Sequence, residues 1–73
     1  MTSNGTLAEV VEAARKDRDI SLRALAEDTG IPLTTLSRHF KRGGFRVTEL
    51  ELVAQALGTT AADLIRQAED GAA

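Results

Sequence analysis

The sequence predicts an all-α fold of five short helices. Apolar residues recur at three- and four-residue spacing along most of the chain, and glycine or proline punctuates the stretches between. No alternating run is long enough for a strand, and no Asn-Gly or Asp-Gly pair joins two such runs. At 73 residues the chain makes one domain, with a core too small to be generous. Its only aromatics are two phenylalanines, so Leu, Val, Ile and Ala must fill that core.

Residues 1–5 are polar and suit a loose terminus. Thr6 opens the first helix in the form Thr-x-x-Glu, with Leu7, Val10, Val11 and Ala14 as its apolar stripe. The charged stretch Arg15–Asp19 ends it. Ser21 caps a second helix over Leu22–Thr29, with Leu22, Leu25 and Ala26 on one face. Gly30 supplies the left-handed residue that stops this helix, Ile31 fills the turn, and Pro32 suits the start of the next.

The third helix is expected from Leu33 to Lys41, with Leu36 and Phe40 inward and Thr34, Ser37, Arg38 and Lys41 outward. Arg42-Gly43-Gly44 stops it, and Phe45 anchors the following loop. Val47–Leu57 reads as a fourth helix with Val47, Leu50, Val53, Ala54 and Leu57 inside and Gly58 after it. Thr60 caps a short fifth helix that buries Leu64, with Ile65 a further core candidate. The domain is thus expected over residues 6–68, with 69–73 frayed.

Composition removes several functions. Without cysteine there is neither a disulfide nor a thiolate metal site. A single histidine, no glycine-rich phosphate loop and no nucleophile beside a base argue against an enzyme, and no cofactor, metal or small-molecule ligand is predicted. No run approaches a membrane span and no signal-peptide core follows the start, so a soluble cytoplasmic protein is expected.

The net charge of −2 conceals a strong asymmetry. Residues 1–14 carry −2 and residues 47–73 carry −4, whereas residues 15–46 carry +4. Between Asp28 and Glu49 there is no acid. That gap takes in the glycine turn and the second helix of a helix, glycine turn and helix across Ser21–Phe40. Such a short turn holds two helices at a steep angle, a geometry in which the second can protrude far enough to enter a DNA major groove.

This segment resembles the helix-turn-helix of the lambda-repressor-like, Xre/Cro family of phage and bacterial regulators. The resemblance is carried by Ser21, Leu25-Ala26-Glu27, Gly30-Ile31, Thr35-Leu36-Ser37-Arg38, Ala56-Leu57-Gly58 and Asp63-Leu64, and it covers roughly Thr6 to Ile65. The chain departs from the family in three places. Leu22 stands where Gln often helps hold a phosphate, Leu33 where a polar residue usually opens the recognition helix, and Lys41-Arg42-Gly43-Gly44-Phe45 where the loop usually has one glycine.

The resemblance implies a compact lambda-repressor-like domain that binds double-stranded DNA as a transcriptional regulator, a Cro-like or short repressor. Base contacts are then expected from Leu33, Thr34, Ser37 and Arg38: hydroxyls on base edges, a leucine on a thymine methyl, and an arginine on guanine or on a phosphate. Arg23, Lys41, Arg42 and Arg46 are expected on phosphates. A single small helix binds weakly, so a homodimer on a palindromic operator is expected, with Leu52 and Ile65 as contact candidates. Two other classes fit the same fold: a protein-interaction or antitoxin-like module, and an excisionase-like architectural binder that bends DNA. His39 reads as a packing histidine, and Phe40 and Phe45 as core.

Overall fold

The computed structural model describes residues 6–72. The expected loose segment 1–5 and the terminal Ala73 lie outside the described residues. Five helices follow in order: α1 Leu7–Asp17, α2 Leu22–Thr29, α3 Leu33–Arg42, α4 Val47–Ala56 and α5 Ala61–Ala72. There is no strand among the described residues.

The caps form where the hydroxyl residues place them. Thr6 Oγ1 accepts the Glu9 N–H at 3.2 Å, Ser21 Oγ that of Ala24 at 3.0 Å, and Thr60 Oγ1 that of Asp63 at 3.1 Å. Each bond satisfies one donor that the first helical turn leaves open. Arg46 caps α4 differently. An arginine side chain has no acceptor, so only the Glu49 carboxylate closes this end, taking the Arg46 N–H at 3.0 Å.

The helix ends show one residue the sequence disguises. After α1, Ile20 N–H bonds Arg15 O at 3.2 Å and Asp19 N–H bonds Lys16 O at 3.0 Å. After α4, Thr59 N–H bonds Ala54 O at 2.9 Å and Gly58 N–H bonds Gln55 O at 3.1 Å. Both are Schellman endings, which require a left-handed residue. Gly58 supplies it at φ 75°, and at α1 the residue is Asp19 at φ 57°.

Val11, Leu25, Leu36, Val53 and Leu64 are fully buried, with Leu50, Ala54 and Leu57 nearly so. α1 packs against α3 and α5, α2 against α3 and α4, and α4 against α5. Ile31 is buried in the α2–α3 turn, while Phe40 and Phe45 pack on the edge of the core as an edge-to-face pair 5.5 Å apart. Arg15 ties three segments together. It grips Glu12 through two 2.8 Å bonds, donates to Ile20 O at 2.7 Å, and lies 5.9 Å over the Phe40 ring.

Four expectations need correction. Val47 belongs to no inner stripe: it is 70% exposed, because the first residue of α4 projects past the end of the core that begins at Leu50. Leu57 is buried as expected, but just beyond α4 rather than within it. The fifth helix is not short, since it continues past Gly71 to Ala72 on a run of alanine, glutamine and glutamate, good helix formers. α3 also runs one residue further than expected, to Arg42.

Two stability predictions follow from these contacts. Asp19→Gly should raise stability by about 0.5–1 kcal/mol, because glycine adopts the left-handed conformation freely. Gly58→Ala should lower it, since the new Cβ would meet both a positive φ and the Arg18 guanidinium 2.7 Å away. Thermal unfolding of the pair checks both signs, and an unstabilised D19G would mean that the Asp19 side chain makes up for its backbone strain.

The Arg15 hydrogen bonds and charge hold Glu12 below its ordinary carboxyl value, against an opposing push from burial. A lowered folded-state value means stability that is present above pH 4.5 and is lost as pH falls through the folded value. Glu12→Gln should therefore be less stable than the parent chain at pH 7, and the gap should narrow toward pH 3. Urea unfolding at stepped pH measures this, and a gap that stayed constant would remove the pair from the acid response.

Candidate nucleic-acid interface

The α2–α3 junction fixes how α3 is presented. Gly30 adopts φ 78° with open space where a Cβ would stand, so its conformation, not crowding, calls for glycine. Its N–H bonds Ala26 O at 2.9 Å. The Thr29 hydroxyl reinforces the turn by donating to Leu25 O at 2.8 Å and accepting the Ile31 N–H at 3.2 Å. Pro32 then opens α3 without a side-chain cap. Its ring suits a helix start, and the first-turn N–H groups are left for solvent or an anion.

α3 buries one narrow stripe. Leu36 is fully buried and Phe40 half-buried. Thr34, Arg38 and Lys41 are exposed at positions four and then three residues apart, so they share the outer face. Leu33 is also exposed, at 37%, whereas Ser37 is half-buried at the margin of that face. Leu22, standing where the family often carries Gln, is half-buried against the core and so supplies no polar group there.

The charges on this side are unengaged. The ion pairs among the described residues involve Arg15, Lys16, His39 and Arg66. Arg23, Arg38, Lys41, Arg42 and Arg46 are exposed and belong to none of them. Cations left unpaired by the fold are available to phosphates without first breaking a contact. Arg23 sits on the first turn of α2, Lys41 and Arg42 end α3, and Arg46 precedes α4. The structure brings the α3 residues onto one helix and leaves Arg23 on another, while Leu52 and Ile65 lie away on α4 and α5, 43% and 42% exposed.

The loop between α3 and α4 holds a contact that the sequence reading missed. Gly43 and Gly44 take φ of 83° and 87° in succession. His39 reaches the Gly43 carbonyl with Nδ1 at 3.2 Å and the Glu49 carboxylate with Nε2 at 3.1 Å. Its ring lies 5.3 Å from that of Phe45. The hydrogen bond from the Arg46 backbone, with the charges of His39 and Arg46, holds the Glu49 carboxyl below its ordinary value. Ten residues separate His39 from Glu49, and no periodicity relates a helix end to the next helix start; the only signal was an acid at the third position of α4, where it caps.

No helix among the described residues is long and apolar enough to cross a membrane. Comparison with curated proteins and with solved structures gave no match. The family model of the Cro/C1-type HTH DNA-binding domain matches residues 12–70. That span holds the whole helix-turn-helix, the glycine loop and the exposed cations, and the chain therefore belongs to the family of Cro/C1-type HTH DNA-binding domains.

Proposed function

We propose that this chain is a sequence-specific transcriptional regulator that inserts α3 into the major groove of an operator. The observation that carries the reading is the outer face of α3, where Thr34 and Arg38 stand exposed, unpaired and without an acid on the same helix. A ten-residue helix is about 15 Å long and fits a groove about 12 Å wide. Leu33, Thr34, Ser37 and Arg38 read base edges, while Arg23, Lys41, Arg42 and Arg46 hold phosphates and set the register.

One such helix contacts few base pairs, so the protein acts as a homodimer on a palindromic site, excluding polymerase from a promoter in the cytoplasm. The exposure of Leu52 and Ile65 on two adjoining helices supports a contact between copies there. Full burial of an exposed leucine or isoleucine yields about 1.5–3 kcal/mol, and these two, 43% and 42% exposed, have somewhat under half of that still to gain in a contact.

Selection from random duplexes, followed by a salt titration on the winner, tests the reading. A palindrome with half-sites about one DNA turn apart and steep salt dependence is expected. No enrichment even at low salt would favour a protein-binding module on the same fold, and strong bending without base preference an architectural binder.

Arg38→Ala separates the two roles open to that side chain. If Arg38 reads guanine, preference relaxes at one position by about 1–3 kcal/mol. If it holds a phosphate, affinity falls alike on all sequences and the salt slope drops by about one. A variant indistinguishable from the parent in affinity, slope and preference would take Arg38 out of the interface.

A further inference from the structure

His39 sits between two acceptors and has no donor facing it. Gly43 O is a carbonyl and Glu49 Oε1 belongs to a carboxylate that also takes the Arg46 N–H. A neutral imidazole has one N–H and so satisfies one of these partners, turning a lone pair toward the other. Only the imidazolium donates to both. The side chain is 12% exposed, so little water is at hand to replace a lost partner.

The two bonds span the glycine loop. One fixes Gly43, in the first half of the double left-handed turn, and the other fixes the first turn of α4. Between and beside these anchors stand Lys41, Arg42 and Arg46. Neither glycine is held by crowding: nothing lies within 4 Å of a Cβ at Gly43, and His39 itself is the neighbour at Gly44. The loop's shape therefore depends on the His39 bonds and the packing of Phe45.

We propose that His39, as an imidazolium bridging the Gly43 carbonyl and the Glu49 carboxylate, is the positioning residue of the α3–α4 loop, and that its deprotonation loosens the loop and weakens DNA binding. This rests on the DNA-binding reading above. Among the described residues, Glu49 of α4 is the carboxylate that faces His39. Arg46 acts on the same carboxylate from the loop. From α1, Arg15 and Lys16 are engaged by Glu12, and on α2 the charged Arg23, Glu27 and Asp28 are exposed and in no ion pair. Lys41 and Arg42, exposed at the end of α3 itself, make no ion pair either. The linkage has one sign: the positioned loop binds a proton, so raising pH releases it.

Affinity for the selected duplex is measured from pH 5.5 to 8.5 at fixed salt for the parent chain, His39→Gln and Glu49→Gln. The parent is expected to lose about tenfold across the range, the scale of one hydrogen bond to a charged group, and His39→Gln to show a flat profile. Glu49→Gln keeps the acceptor for Arg46 N–H but removes the charge, and should flatten the profile while leaving α4 capped. The amides of Gly43 and Gly44 are followed in the free protein over the same range by NMR relaxation. Disorder that grows at these two amides with His39 deprotonation, and is independent of pH in Glu49→Gln, supports the positioning role even if no duplex is bound at any pH. That last result would sink the DNA reading alone. Loop amides indifferent to pH, or a parent profile matched by His39→Gln, would overturn the proposal.

Discussion

The fold depends on the angle between α2 and α3. Gly30 turns the chain through a left-handed residue, Ile31 fills the wedge this opens, and Leu25 and Leu36 meet below it with no exposed surface. α3 stays attached through one narrow stripe, Leu36 fully buried and Phe40 half-buried. A broader stripe would draw Thr34 or Arg38 toward the core. The free outer face of α3 is thus a consequence of the turn, and α1, α4 and α5 serve to close the core behind it.

Two polar side-chain networks sit at junctions between helices. Arg15 joins the end of α1 to the α1–α2 turn and to Phe40 of α3, while Glu49 joins α4 to the loop and His39. Both carboxylates involved, Glu12 and Glu49, are held below their ordinary value by the donors they accept from. In so small a core these bonds fix the relative placement of helices that few apolar side chains could specify alone. The cations on the outer side of α3 are excluded from this network.

Most of the architecture was legible because it rests on local chemistry. Hydroxyl caps at Thr6, Ser21 and Thr60, the stop at Gly30 and the spacing of Leu36 and Phe40 are each readable within a turn of helix. What escaped depends on context. Val47 fits the α4 stripe by spacing, but a stripe does not reveal where the core behind it ends. Asp19 occupies a position where sequence reasoning looks for glycine. The His39–Glu49 contact crosses a loop that turns through two successive positive-φ glycines, and no helical periodicity carries across it. Of the proposed interface, the exposure of Thr34, Arg38 and Lys41 followed from helical spacing, whereas Ser37 proved half-buried because it lies one residue from Leu36, at the border of the inward stripe.

An acidic protein that binds DNA is no contradiction at this length scale. The domain extends 34 Å along its longest axis, and charges in physiological salt are screened over about 8 Å. A phosphate approaching α3 is therefore governed by the unpaired cations near it and hardly by the acids of α5, which does not pack on α3. Those acids act at longer range and lower salt, where they disfavour approach of the wrong end. Net charge then bears on solubility, and orientation on the separation of signs along the chain. Glu49, in the first turn of α4, is the acid that the loop itself engages, through the Arg46 backbone N–H and the His39 ring. That side chain, only 19% exposed, is thereby engaged within the fold, while the cations beside it stay free for a phosphate.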